Sequence, residues 1–150
     1  MSGDRTPSPR GRVMGLDYGS IRVGVALSDG LRLAAHAHGV LSAAAPDLGP
    51  RLAEIADEHD VTEVVIGLPT SLDGSEHASA TGARRLAALV GSELDLPVHL
   101  YDERFTSKVA EQALLAADMS RNKRRQVIDK LAAAVMLQGF LDRSRADRSR

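Results

Sequence analysis

The chain has 150 residues, a hydrophobic fraction of 43% and a formal net charge of -1, which predicts one domain with a sizeable core. The absence of cysteine excludes disulfides, thiolate zinc sites and cysteine nucleophiles, and it favours a reducing compartment. An aromatic content of 3% argues against base stacking as a main mode of nucleic-acid binding, and the net charge argues against a general polycation.

The two ends of the chain differ in composition from the middle. Residues 1–11 are rich in Pro, Gly, Ser and Arg and lack the apolar core of a signal peptide, so they are predicted to form a disordered leader. Residues 143–150 are predicted to form a charged, disordered tail, which leaves one domain over residues 12–142. Because no apolar run approaches the roughly 20 residues that span a bilayer, we expect a cytoplasmic protein without membrane contact.

The first part of the domain predicts three strands that form an antiparallel meander. These strands cover about residues 12–17, 22–27 and 31–41, and turn residues separate them. Pro46 then opens a helical pattern that places Leu48, Leu52, Ile55 and Ala56 on one face.

The second part predicts strands that alternate with helices. Residues 61–68 are nearly all apolar, as expected for a strand covered on both faces, and a loop follows over residues 69–76. A helix over residues 78–94, with Leu86, Leu89 and Val90 facing inward, leads to a strand over residues 97–101. Further helices are predicted from Thr106 to about residue 116 and over about residues 124–142.

This order of elements predicts an α/β fold with a mixed five-stranded sheet flanked by helices. The sheet consists of the three-stranded antiparallel meander and two strands parallel to the first strand. Functional residues gather at the carboxyl ends of parallel strands in such sheets. Asp17, Asp102 and Glu103 are predicted to lie at that edge.

Three carboxylates at separate places in the chain need an explanation. Asp17 interrupts an apolar strand, Glu103 follows a strand, and Asp129 lies in the last predicted helix. At 100° per residue, Asp129 shares a stripe with Ala132, Ala133, Met136 and Phe140, and Val127, Leu131, Ala134 and Val135 form a second apolar band. A buried carboxylate must be protonated, paired or bound to a metal.

Each carboxylate has an ordinary alternative role when it is considered alone. Asp17 is typical of a turn before Gly19, Glu103 of an ion pair with Arg104, and Asp129 of a pair with Arg125 or Lys130. Their predicted convergence favours a divalent-metal site. Hard oxygen ligands of this kind hold the Mg²⁺ ions that promote phosphodiester cleavage.

Four segments of the chain resemble the motifs of a known family, in the right order and spacing. They are LDYGSIRVGVALSD at 16–29, GLPTSLDGS at 67–75, DERFTSKVAE at 102–111 and KRRQVIDKLAA at 123–133. Over about residues 12–142 the chain resembles the YqgF/RuvX family of bacterial RNase H-like nucleases. Its departures from the family pattern, at Phe105, Thr106 and Ser107, do not touch the three carboxylates.

The resemblance implies an RNase H-like fold in which Asp17, Glu103 and Asp129 are catalytic residues and ligands of a divalent metal. We expect that metal to be Mg²⁺ or Mn²⁺, with Asp102 as a supporting carboxylate. The resemblance also implies the substrate. Family members are described as nucleases that mature the 5′ end of 16S rRNA within pre-ribosomal particles. They were earlier proposed to be Holliday-junction resolvases, by analogy with RuvC.

Other residues are candidates for contacts with nucleic acid. The basic candidates are Arg22, Arg104, Lys108, Arg121, Lys123, Arg124 and Arg125. In the loop after the buried strand, the candidates for phosphate contact are Gly67, Thr70, Ser71, Gly74 and Ser75. The ordinary alternatives are an exposed arginine on an outer strand, a solvated basic turn and a plain strand-to-helix connection.

Three other functions fit parts of the pattern. One is a resolvase that acts on branched DNA in recombination and repair, and another is a non-catalytic nucleic-acid-binding module. The third is the phosphate-binding hairpin of actin-like and sugar-kinase ATPases, which requires two such domains. We expect RNA as the partner, in the form of pre-16S rRNA in a pre-ribosomal particle, and a monomer or weak homodimer.

Overall fold

The computed structural model describes residues 11–68, 78–102 and 121–148, and it describes side chains from Ala80 in the second helix and over residues 131–146 in the last helix. The strands are β1 (Arg12–Tyr18), β2 (Arg22–Ser28), β3 (Ala35–Ser42), β4 (Val61–Leu68) and β5 (Val98–Asp102). The helices are α1 (Leu48–Glu58), α2 (Ala78–Leu94) and α3 (Arg121–Arg148).

The strands form one mixed sheet in the order β3-β2-β1-β4-β5. Strand β1 pairs antiparallel with β2 and parallel with β4, β2 pairs antiparallel with β3, and β4 pairs parallel with β5. The predicted fold class, a meander of three strands extended by two parallel strands and flanked by helices, is therefore confirmed. Strand β1, which carries Asp17, lies at the centre of the sheet.

Each face of the sheet has its own hydrophobic core. Alternate residues of β1 divide between the two faces, because successive strand residues point to opposite sides. Met14 and Leu16 pack with helices α1 and α2, whereas Val13 packs with Ala133, Met136 and other residues of α3. The burial of both faces explains why β1 and β4 are nearly continuous apolar runs.

Strand β3 begins later than the sequence predicts, at Ala35 instead of residue 31. The Asp29 carboxylate accepts hydrogen bonds from the Leu33 and Ala34 N–H groups, at 2.7 and 3.0 Å. Arg32 adopts a left-handed conformation with φ of 59°. This turn uses the backbone donors that a longer strand would need, so an apolar sequence ends up outside the sheet.

Helices α1 and α2 and strand β4 lie close to their predicted positions. Strand β4 and helix α2 have the predicted bounds, and α1 buries Leu48, Leu52 and Ala56. The prediction that Leu89 faces inward is wrong, since 39% of this residue is exposed. The helix predicted from Thr106 to residue 116 lies outside the described residues.

Helix α3 is longer than predicted, because it begins at Arg121 and ends at Arg148. Residues 143–148, predicted to belong to a disordered tail, are helical, and an ion pair between Arg145 and Asp142 supports this last part of the helix. Val135, predicted to lie in a second apolar band, is 36% exposed, while Leu137 is fully buried. Among the described helices, none is long and apolar enough to cross a membrane.

Candidate active site

The carboxyl ends of three parallel strands lie side by side at one edge of the sheet. Asp17 in β1 is in register with Gly67 in β4, which is in register with Tyr101 in β5. Adjacent strands are about 4.8 Å apart, so these backbone positions form one short row. Asp102 ends β5 one position further along, opposite Leu68. The structure therefore brings Asp17 and Asp102 to the edge where the sequence predicts them.

The side chain of Asp17 lies on the face of the sheet that α3 covers. It follows Val13 and Gly15 at alternate positions, and both of these contact α3. Asp17 is half-buried. Its neighbours across the sheet are Gly24 in β2 and Gly67 in β4, neither of which has a side chain. The two strands that flank β1 therefore place no side chain directly opposite this carboxylate.

Sequence reasoning did not single out Gly24 as the neighbour of Asp17 in β2. The signal was present, because Gly24 is the glycine of the Arg-x-Gly motif. What the sequence alone does not give is the register, which places Gly24 opposite Asp17 and not opposite another residue of β1.

Helix α3 crosses the same face and carries Asp129. The contact is close at Gly15, where an added Cβ would stand 2.9 Å from the Leu137 Cβ. The position of Asp129 lies one helical turn before Ala133 and two turns before Leu137, both fully buried against the sheet. The helix backbone therefore places residue 129 on the stripe that packs against the sheet, while its side chain lies outside the described residues.

The other predicted carboxylate, Glu103, follows Asp102 in the chain but lies outside the described residues. Among the side chains that are described, no group of three or more His, Asp or Glu residues is arranged to hold a metal ion. Of the predicted metal ligands, the structure thus gives the position of Asp17 in the sheet and the backbone position of Asp129.

Arg22 is the predicted phosphate contact that the structure places beside Asp17. It begins β2 on the same face as Gly24 and Ala26, one diagonal step from Asp17 across the β1–β2 pair. The Gly19 N–H donates a hydrogen bond to the Arg22 carbonyl at 2.8 Å, which closes the turn between the strands. A cationic and an acidic residue thus lie on the same face of the sheet, near the turn that joins β1 and β2.

The remaining predicted contacts are only partly covered by the structure. The basic cluster was predicted to lie before the last helix. In the structure it lies within the first turns of α3, at Arg121, Lys123, Arg124 and Arg125. Gly67 lies in the middle of the row of strand positions, between Asp17 and Tyr101. Thr70, Ser71, Gly74, Ser75, Arg104 and Lys108 lie outside the described residues.

Comparison with known proteins identifies the family. The family model described as "RuvX: Holliday junction resolvase" matches residues 11–143. A relative from Myxococcus xanthus is 46% identical over 137 residues, covering 89% of each chain, and one from Pelotomaculum thermopropionicum is 44% identical over 133 residues, covering 87% of this chain and 86% of its own. Both bear the name "Putative pre-16S rRNA nuclease".

A solved structure shows the same fold. RuvC of T. thermophilus in complex with a Holliday junction substrate is 18% identical, with a TM-score of 0.51, and the match covers 89% of this chain and 95% of the RuvC chain. This similarity shows that the two proteins share their fold over 89% of this chain. The protein therefore belongs to the RuvX family and is a nuclease, an enzyme that hydrolyses phosphodiester bonds.

Proposed function

We propose that this nuclease depends on a divalent metal ion and processes the 5′ end of the 16S rRNA precursor in ribosome biogenesis. The observation that carries the proposal is the 46% identity, over 89% of each chain, with a relative whose name specifies pre-16S rRNA. The position of Asp17 at the carboxyl edge of the central strand supports a catalytic site there.

In this proposal Asp17, Glu103 and Asp129 hold Mg²⁺ or Mn²⁺. The position of Asp17 suits such an ion, because the carboxylate is half-buried and its two cross-strand neighbours are glycines, which carry no side chain. Carboxylate oxygens are the ligands that these ions prefer. When bound, the ion supplies positive charge that stabilises the transition state and lowers the pKa of a water molecule.

The chain's own residues would orient the substrate. Arg22 lies beside Asp17 and can donate hydrogen bonds to a phosphate oxygen next to the bond that is cleaved. The basic residues at the start of α3 and the loop after β4 would hold phosphates further along the strand. Since such contacts release bound counterions, we expect RNA affinity to fall steeply as salt concentration rises.

A second candidate function is the cleavage of Holliday junctions. The description of the matching family model favours it, whereas the likeness to RuvC, at 18% identity, concerns the fold. A resolvase must cut two strands related by symmetry and is expected to act as a symmetric dimer. The metal chemistry would be the same, so the substrate has to distinguish the two functions.

The test is cleavage of a short RNA with the 16S 5′ leader sequence, in parallel with a four-way DNA junction, with Mg²⁺ or Mn²⁺. The proteins are wild type, Asp17→Asn and the control Asp47→Asn, whose exposed carboxylate pairs with Arg51 on α1. We expect wild type and the control to cut RNA and Asp17→Asn to lose activity. Symmetric cutting of the junction alone would establish the resolvase, and binding without cleavage by any variant would indicate a non-catalytic module.

A further inference from the structure

The side chain of Tyr18 lies on the opposite face of β1 from Asp17, the proposed metal ligand. Tyr18 follows Asp17 in β1 and is half-buried against the core formed with α1 and α2. Because successive strand residues face opposite sides, the Tyr18 ring and the Asp17 carboxylate leave the strand on opposite faces. They are attached to neighbouring Cα atoms, so a movement of the Tyr18 backbone is also a movement of Asp17.

Helix α2 approaches the Tyr18 ring so closely that only glycine fits. A Cβ added to Gly82 would stand 2.5 Å from the Tyr18 Oη and closer still to two carbons of the ring. Two residues close to Gly82 in the helix, Ala80 and Ala83, are fully buried and also small. The ring is therefore seated against the helix backbone at Gly82.

The other glycine of α2 shows that this closeness is specific to one position. A Cβ added to Gly91 would meet only the Val98 Cγ2, at 3.9 Å, which is an ordinary van der Waals contact. Glycine in a helix costs stability relative to alanine. Packing therefore requires glycine at position 82, whereas it does not at position 91.

We propose that Tyr18 is a positioning residue, whose ring, seated on Gly82, fixes the backbone of Asp17 and so the direction of its carboxylate. The main chain of Tyr18 pairs with Val23 of β2, and the ring adds a second anchor on α2. A misplacement of about 1 Å in a catalytic group can cost about 100-fold in rate. The inference rests on the proposed function in one respect, that Asp17 is a metal ligand.

Four variants distinguish the effect of the Tyr18 ring from the effect of the helix contact and from a general loss of stability. Gly82→Ala displaces the ring or the helix, and Gly91→Ala is the matched control in the same helix. Tyr18→Leu removes the ring without introducing a clash, and Tyr18→Phe keeps the ring and removes only the hydroxyl group.

The first measurement is the affinity for Mn²⁺ by calorimetric titration without nucleic acid, and the second is kcat for RNA cleavage. We expect Gly82→Ala and Tyr18→Leu to bind Mn²⁺ about 10-fold more weakly and to lower kcat by about 10- to 100-fold. Tyr18→Phe and Gly91→Ala should match wild type in both measurements. Circular dichroism verifies that each variant is folded.

Several outcomes would overturn the inference. It fails if Gly82→Ala behaves like Gly91→Ala. It also fails if Tyr18→Leu binds Mn²⁺ as wild type does, and this second test remains decisive even if Gly82→Ala does not fold. It also fails if Tyr18→Phe is as defective as Tyr18→Leu, because the hydroxyl group and not the seated ring would then matter. If the Mn²⁺ affinities follow the expected pattern while wild type cuts no RNA, the positioning role stands and the proposed function fails.

Discussion

Asp29 holds the turn between β2 and β3 through its charged side chain. The hydrogen bond from the Ala34 N–H lowers the pKa of Asp29 below its ordinary value, and the bond from the Leu33 N–H acts in the same direction, whereas partial burial opposes them. Both bonds favour the ionised carboxylate. The turn that delays the start of β3 is therefore more stable when Asp29 is charged.

This pKa shift predicts a pH-dependent contribution to stability. A group whose pKa is lowered by folding stabilises the protein at a pH above its unfolded-state pKa, and the contribution is lost as the pH falls through the folded-state pKa. We therefore expect wild type to have a higher Tm than Asp29→Asn at pH 7, and the difference to shrink below about pH 4. Thermal unfolding of both proteins between pH 7 and pH 3 tests this, and a constant difference would contradict it.

Arg32 connects the same turn to β4 and to the start of β1. Its guanidinium donates hydrogen bonds to Glu63 Oε1 at 2.5 Å, Thr62 Oγ1 at 2.9 Å and the Gly11 carbonyl at 3.1 Å. Glu63 also contacts His99 of β5. The Arg32 side chain is only 13% exposed, so its bonds to Glu63 and to the Gly11 carbonyl are partly shielded from water and should contribute more than a surface ion pair does.

We expect Arg32→Ala to lower the free energy of unfolding by about 1–3 kcal/mol, because it leaves two part-buried acceptors, the Glu63 carboxylate and the Gly11 carbonyl, without their Arg32 donor. Alanine keeps the same strain at the positive φ, since it also has a Cβ. The control is Arg51→Ala, which removes an exposed pair with Asp47 and should cost less than about 1 kcal/mol. Urea unfolding measures both, and equal losses would show that the Arg32 network adds no more stability than an exposed ion pair does.

At the scale of elements, close packing of α3 on β1 depends on Gly15. An added Cβ would stand 2.9 Å from the Leu137 Cβ, an atom next to the helix backbone that cannot rotate away. We expect Gly15→Ala to destabilise the protein by about 1–3 kcal/mol through overpacking. The matched control is Gly39→Ala in β3, where an added Cβ meets nothing within 4 Å, and it should be neutral or stabilising by up to about 1 kcal/mol.

Urea unfolding of these two glycine variants tests whether α3 is held at this distance from the sheet. A neutral Gly15→Ala would mean that the helix can move away without cost. A destabilising Gly39→Ala would mean that glycine in strands is costly to replace for reasons other than space.

The elements differ in how well the sequence predicts them, and packing explains the differences. Strand β4 was predicted with its observed bounds because it is buried on both faces and turn residues end its apolar run. The start of β3 was missed because Asp29 and Arg32 make side-chain contacts that no hydrophobic pattern reveals. The length of α3 was underestimated because its last turns are polar, so no apolar periodicity marks them.

At the scale of the whole molecule, the strand topology brings the residues of the candidate site together. The prediction that strands after the first helix run parallel to β1 was enough to place Asp17 and Asp102 at one edge. The contact between Tyr18 and Gly82 was not foreseen, because it joins residues far apart in the chain whose closeness depends on how α2 docks on the sheet. The metal set of Asp17, Glu103 and Asp129 stays a prediction.

A bound metal ion should stabilise the whole chain, because its proposed ligands come from β1, from the segment after β5 and from α3. An ion that binds only the folded state at 100 times its Kd adds about 2.7 kcal/mol, which corresponds to about 5–10 °C in Tm for a domain of this size. We expect Mn²⁺ to raise the Tm of wild type and of Asp47→Asn relative to EDTA, and to leave Asp17→Asn unchanged. An equal rise in all three proteins would place the ion elsewhere, and no rise in wild type at saturating Mn²⁺ would contradict a site built across these elements.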